Sequence, residues 1–315
     1  LNRIKKNIFP SVLFSALFFI VLSFWGDSHQ IFLLLKEFPL SNLLIALAFS
    51  FAVFVVRLIK WRFYLIKMGE KIPSKDVFLS FFAALSLSFS PGKIGDLLKS
   101  YYLNERHSVR FTKTFSIILM ERMTEVYSLI LIVFFGSIIF GNNSLITVLI
   151  FILAHLLIFI VIKKEYYELI LSKLHRYERI QKYLKYFQSL YGNLIELIKL
   201  KIFIPSMLLS LLSWIFEFIA IFTILTTFKI KHNFYEISYF YSFSTLLGSI
   251  SFLPAGIGIM DTSFSFILIL LGFDENSVLA STIMIRISTL WFGILLGILT
   301  LIIFRSQMNF ISKYD

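Results

Sequence analysis

Nine charged side chains stand in or beside long apolar stretches of this sequence: Lys93, Asp96, Lys99, Glu121, Arg122, Glu125, Glu217, Asp261 and Arg286. A charge in hydrocarbon costs several kcal/mol unless it is paired or hydrated, and such residues are functional by default. Their spacing supplies partners. Asp96 and Lys99 are three apart, Glu121 and Glu125 four apart, and Arg122 lies three before Glu125, so each pair shares a helix face. Guanidinium binds phosphate bidentately. The chemistry implied is therefore anion binding. Lys93, Arg122 and Arg286 would hold a phosphate, and Asp96, Glu125 and Asp261 would serve as counter-charges or proton-coupling groups. Lys99 extends the first cluster, and Glu217, one turn after Trp214, completes the substrate-binding set. Each charge alone is equally explained by an ion pair that locks two helices. The set, flanking two helix breaks, points to a cavity.

No catalytic residue is assigned. The chain has no Cys, and its five His show no HxxxH or HExxH spacing, so neither a metal nor a cofactor is expected. Trp61, Trp214 and Trp291 read as anchors at the membrane interface.

The elements that position these charges follow from composition. Of 315 residues 58% are hydrophobic, only 15% are charged and 38 are Phe, with a mean hydropathy of +0.86. A soluble surface needs more charge than this. The chain reads as an all-α polytopic membrane protein, one integral membrane domain over 1–315. The formal net charge of +12 then marks cytoplasmic loops and anionic lipid headgroups as their partners, not nucleic acid. Leu1–Trp25 lacks a small-residue cleavage site and reads as a retained first span.

Two segments are broken alike. FSPGKIG at 89–95 and FLPAGIG at 252–258 both fit F-x-P-x-x-I-G. Pro91, Gly92 and Gly95, and Pro254, Gly256 and Gly258, interrupt runs that would otherwise be helical. A helix restarting after each break would present free N–H groups and a positive dipole end to an anion. Six segments are long enough to span a bilayer: 8–25, 40–59, 115–140, 145–162, 203–228 and 278–304. The broken segments 77–103 and 237–272 read as re-entrant hairpins. Residues 163–201 carry nine Lys/Arg against four Glu, and 57–75 carry six more. With both hairpins re-entrant, these basic stretches fall on one side, which predicts cytoplasmic N- and C-termini. The first hairpin then opens to the cytoplasm and the second to the outside. The basic linker 163–201 has helical apolar spacing and reads as an amphipathic surface helix.

The halves also repeat. MERMT places Arg122 thirty-one residues after Pro91, and MIRIS places Arg286 thirty-two after Pro254. Unit A spans 77–140 and unit B 237–304. Three spans between the hairpins invert the second unit, as in many secondary transporters.

SPGKIGDLLKSYYL (90–103), ERMTEV (121–126), WIFE (214–217), LPAGIGIMD (253–261) and the last span with Arg286 together resemble the flippase-like transmembrane region of lysylphosphatidylglycerol synthases. That family commonly has Glu and Arg where this chain has Asp96 and Lys99, and Glu where it has Asp261. The resemblance implies a lipid-handling membrane region, here expected without the aminoacyl-transfer domain of the synthases. The leading expectation is a lipid translocase of the plasma membrane, moving a phospholipid or lipid-linked glycan headgroup between the hairpins. Two alternatives stay open. One is an intramembrane glycosyltransferase, with Asp27 and Glu37 in the predicted external loop 26–39. The other is a scaffold for an envelope-lipid enzyme. An envelope-lipid synthase partner and a homo-oligomer both fit such a chain.

Overall fold

The computed structural model describes residues 27–88, 90, 95–140, 147–149, 151–153, 156, 163, 165, 167–168, 178–251 and 253–304. Among them there are helices and no strands. In chain order these are α1 (Ser28–Lys36), α2 (Leu40–Lys67), α3 (Ser74–Leu85), α4 (Leu97–His107), α5 (Phe111–Ile139), α6 (Glu178–Ile198), α7 (Leu200–Thr227), α8 (Phe234–Ile250), α9 (Ile259–Leu270), α10 (Glu275–Arg286) and α11 (Phe292–Ile303). A π-helical turn, Ile287–Trp291, joins α10 to α11.

Among the described residues three helices are long and apolar enough to cross a membrane: α2, α7 and the continuous Glu275–Ile303. They correspond to the expected spans 40–59, 203–228 and 278–304. The expected span 115–140 lies in the 29-residue α5. The expected span 8–25, most of 145–162, and Pro91, Gly92 and Lys93 lie outside the described residues. Large apolar side chains face outward along the bundle, Ile139, Leu270 and Ile303 among them, as a hydrocarbon solvent allows.

Among the described residues two large apolar cores form, beside a small cluster around Ile257 and Ile294. One gathers Trp61, Leu65, Leu79, Phe82, Leu103, Ile117 and Met120. The other gathers Leu129, Val133, Ile221, Ile224, Phe264, Val278 and Ile285. Helix α5 contributes to both, and Glu121, Arg122 and Glu125 fall between its two contributions. The longest packing seam runs between α2 and α7, while α5 also packs on α6 and α8, and α3 lies against α4 and α11.

One expectation changes. Residues 26–39 were expected as an external loop, but they contain α1. The Asp27 carboxylate caps it, accepting from the His29 and Gln30 N–H groups at 3.0 and 3.3 Å, and Ile31 is buried. Asp27 N–H donates to Asn276 Oδ1 (3.0 Å) and Asn276 Nδ2 to Gln30 Oε1 (2.8 Å), fastening α1 to α10. Within the basic linker, α6 is amphipathic and rests on α5. Thr112 and Ser189 hydroxyls meet at 3.1 Å, Leu184 and Leu197 are buried, and Tyr186 and Phe187 face outward.

Both breaks interrupt the helices. α3 ends at Leu85 and α4 starts at Leu97. The Gly95 N–H donates to Ser90 Oγ at 2.6 Å, and a Cβ on Gly95 would lie 2.4 Å from both Cβ and O of Leu87. After α8, a 3₁₀ turn at Pro254–Gly256 precedes α9. Gly258 has φ +92°, ψ −73°, a conformation that a side chain would strain.

Candidate functional site

The breaks aim the N-terminal ends of α4 and α9 at the middle of α5 and the end of α10. At α4 the first turn carries Asp96 and Lys99. Asp96 pairs with Arg122, and Lys99 Nζ donates to Glu121 Oε2 at 2.6 Å while lying 3.5 Å from Asp96. Arg122 Nη1 also donates to Glu125 Oε2 at 2.7 Å. At α9 the counterpart is closed. Asp261 receives a fork from Arg286, Nε to Oδ1 at 2.6 Å and Nη2 to Oδ2 at 3.0 Å. The Gly258 N–H, the donor expected to greet an anion, donates instead to Asp261 Oδ2 at 3.2 Å. The slot at that helix end is filled by the chain's own carboxylate.

Two cations outside the expected set complete the cluster. Lys60 and Arg57 both come from α2. Lys60 is 1% exposed; its ammonium donates to Glu125 Oε1 (3.3 Å), Ser210 Oγ (3.0 Å) and the Glu121 carbonyl (3.4 Å). Arg57 Nη2 donates to Glu217 Oε2 at 3.1 Å, and Arg57 Nε lies 3.8 Å from Glu125 Oε1. Its guanidinium stacks 5.6 Å from the Trp214 ring centre. Glu125 is therefore a hub that meets Lys60, Arg57 and Arg122. The charge count places both residues among the loop cations of 57–75. For Lys60 the reason is that α2 stays helical for about two turns past the expected end at residue 59; Arg57 lies inside that expected span and lines the cavity. The signal was present in the spacing of Val53, Arg57, Lys60, Trp61 and Tyr64, which repeats at three and four residues.

The described residues thus hold five cations and five carboxylates: Arg57, Lys60, Lys99, Arg122, Asp96, Glu121, Glu125 and Glu217 in one ion-pair network, and Asp261–Arg286 as a separate pair beside it. Most of these groups line one cavity of about 170 Å³, together with Trp214, Tyr241, Met260 and Thr289. A second space of about 270 Å³ shares Arg122, Glu125, Trp214 and Met260 with it and runs out past Val126, Leu129, Gly248 and Leu253. Val126 and Leu253 are exposed on the bundle's outer face, so the polar cavity adjoins an apolar flank.

Of the expected substrate-binding residues, Asp96, Lys99, Arg122, Glu125, Glu217 and Arg286 line the cavity. Asp261 stands directly behind Arg286, and Lys93 lies outside the described residues. The expected phosphate holder Arg286 is already engaged by Asp261, Met260 Sδ (3.1 Å) and the Ala255 carbonyl (3.4 Å). Arg57 and Arg122 are the accessible guanidiniums, at 21% and 30% side-chain exposure. The Nε of each is buried without a hydrogen-bond partner among the described residues.

The expected anchoring role of two tryptophans is also corrected. Trp61 is fully buried, donates to Ser80 Oγ at 3.2 Å and carries the Lys99 ammonium 4.6 Å above its ring. Trp214 donates to the Glu125 carbonyl at 3.3 Å. Indole edges here satisfy buried polar groups, and indole faces shield cations.

Away from the cavity, Asp76 ties α3 to α4. It accepts from Tyr102 Oη at 2.6 Å, lies 3.0 Å from His107 Nε2 and pairs with Arg106 Nε at 3.1 Å. Burial raises its carboxyl, but the Tyr102 and His107 hydrogen bonds and the Arg106 charge outweigh it and hold Asp76 below the usual carboxylate range.

A helical bundle with apolar flanks and a balanced charge cluster in its middle defines an integral membrane protein with an internal polar cavity. The family model for the lysylphosphatidylglycerol synthase TM region matches residues 8–297, and the chain belongs to that family. No curated protein matches it.

Proposed function

We propose that this chain is a lipid translocase. The headgroup of a phospholipid or lipid-linked glycan enters the polar cavity, while its acyl chains stay along the flank past Val126 and Leu253. The observation that carries this reading is the pairing of an intramembrane charge network with an apolar side opening: one lodges a headgroup and the other lodges tails. Arg57 and Arg122 hold the phosphate. Asp96, Glu125 and Glu217 keep these guanidiniums engaged when the site is empty. Lys93, Lys99, Asp261 and Arg286 belong to the same site, the last pair acting as a fixed wall.

The architecture proposed with it is six spans and two re-entrant hairpins in an inverted repeat. Asp96–Arg122 and Asp261–Arg286 support the repeat, because each joins the restart of a broken helix to the following long helix across 26 and 25 residues. The proposed location is the plasma membrane, with both termini cytoplasmic, and an envelope-lipid synthase or a second copy of the chain as neighbour.

The test is lipid movement by purified protein in proteoliposomes, read with headgroup-labelled phospholipids, alongside mass spectrometry of co-purifying lipids. Wild-type protein should move lipid and carry a defined species. Arg57→Ala/Arg122→Ala should do neither while remaining monodisperse. Equal lipid movement and equal bound lipid in both proteins would overturn the reading.

A further inference from the structure

The end of α4 and the start of α5 meet α6 around a third space. It is an open groove of about 590 Å³ that shares no residue with the two central spaces. Its lining is rich in donors. Arg110, the residue before α5, and Lys185 of α6 stand in it with exposed side chains, and among the described residues neither meets a carboxylate. Their basic neighbours do: Arg106 pairs with Asp76 and Lys113 with Glu70. Asn104 donates one amide hydrogen to the Val109 carbonyl at 2.9 Å and keeps the other. The Thr112 and Ser189 hydroxyls meet at 3.1 Å; one donates to the other, so a second hydroxyl hydrogen remains to be offered. Among the described residues no carboxylate lines the groove. Two cations, a hydroxyl and an amide make a receptor for an anion with several oxygens, and guanidinium and ammonium are the usual partners of phosphate.

The rim of the groove is apolar. Phe111 and Tyr186 line it too, 46% and 63% exposed. Aromatic side chains at the end of a long apolar helix suit the headgroup level of a bilayer. Phe111 opens α5, and Arg122 lies about three turns further along it, which separates this groove from the central cavity. We infer that the groove binds the phosphate of an anionic phospholipid at the membrane surface, with the acyl chains passing Phe111 and Tyr186. A soluble phosphate ester would use the donors and leave the aromatic rim in water; a lipid engages both. The bound lipid ties α6 to α4 and α5. This site stands apart from the translocase reading.

The chain has no Cys, so Gln188→Cys, an exposed position on α6, gives the full chain one attachment point for a fluorophore. The labelled parent is placed in phosphatidylcholine nanodiscs doped with phosphatidylglycerol or phosphatidylcholine brominated on the acyl chains. Brominated phosphatidylglycerol should quench the label at a mole fraction about tenfold lower than brominated phosphatidylcholine, since each basic residue near an anionic surface favours the charged lipid about fivefold. Adding Arg110→Ala/Lys185→Ala should bring the two lipids within about twofold of each other. Lys199→Ala/Lys201→Ala removes the same charge outside the groove and should leave the preference intact. Equal quenching by both lipids in the parent overturns the inference. So does an equal loss in the two double variants, which would make the attraction a diffuse effect of basic surface. Displacement of the lipid by millimolar inorganic phosphate also overturns it and makes the groove a site for soluble phosphate. Lys185→Ala alone, at an exposed helix position, should cut the preference several-fold and decides the matter if the Arg110 change disturbs folding.

Discussion

Arg286 and Asp261 meet through two parallel bonds of 2.6 and 3.0 Å, and the same carboxylate takes the N–H of Gly258 at 3.2 Å. One side chain thereby neutralises an arginine and caps a helix. Breaking a buried pair leaves its partner uncompensated, at a cost of about 3–5 kcal/mol. Asp261→Asn and Arg286→Ala should each lower the thermal unfolding midpoint in detergent by several degrees. Asp261→Asn/Arg286→Met, which removes both charges, should recover most of the loss. An additive double variant would show that the two residues do not act as a pair.

Arg57 predicts a different profile. It is partly exposed and stacked on Trp214, so Arg57→Lys keeps the charge and loses the planar fork. Lipid affinity should fall about tenfold or more, with the unfolding midpoint within about 2 °C of wild type. Titration with a phospholipid, paired with a thermal scan, checks both halves. A large fall in stability with unchanged affinity would make Arg57 a structural strut.

Gly95 has no room for a side chain. Gly95→Ala places Cβ against Leu87 backbone as well as its side chain, so trimming Leu87 cannot make space. Overpacking of this kind costs about 1–3 kcal/mol. The expected outcome is a lower midpoint for Gly95→Ala that Leu87→Ala does not restore. Restoration would place the conflict in the side chain alone.

The Asp76 clasp sets a pH dependence with a definite sign. Its folded carboxyl titrates below the unfolded value of about 3.9, so the stability it adds is present above that value and is lost as pH falls through the folded one. Asp76→Asn should be less stable than wild type at pH 7 by about 1–3 kcal/mol. The gap should close as pH drops below about 4. Unfolding midpoints across pH 3–7 check this, and a gap that widens in acid contradicts it.

Asp96, Arg122, Asp261 and Arg286 were legible as site charges because they flank recognisable breaks, but which carboxylate meets which arginine was not, since Asp96 and Arg122, like Asp261 and Arg286, lie on different helices. Charges in apolar runs have few places to go. The helical character of α2, α5, α7 and α10–α11 followed from apolar length. Arg57 and Lys60 were not legible by charge counting, since a basic residue near a span's end looks like a loop marker until its helix is known to continue. Trp61 and Trp214 were misplaced for a related reason: an indole suits a membrane interface and a buried cation equally, and only packing decides. The 26–39 segment was too short and too mixed in pattern to separate a capped nine-residue helix from a loop.

The Asn276 joint described above links residues 27 and 30 to residue 276, nearly the whole chain apart. Contacts of such separation close the largest loop and form only after the intervening elements are in place. Asn276→Ala should therefore leave the rate of assembly nearly unchanged and speed the rate of coming apart. In kinetic terms this small polar knot is a lock on the finished molecule, not a guide to building it.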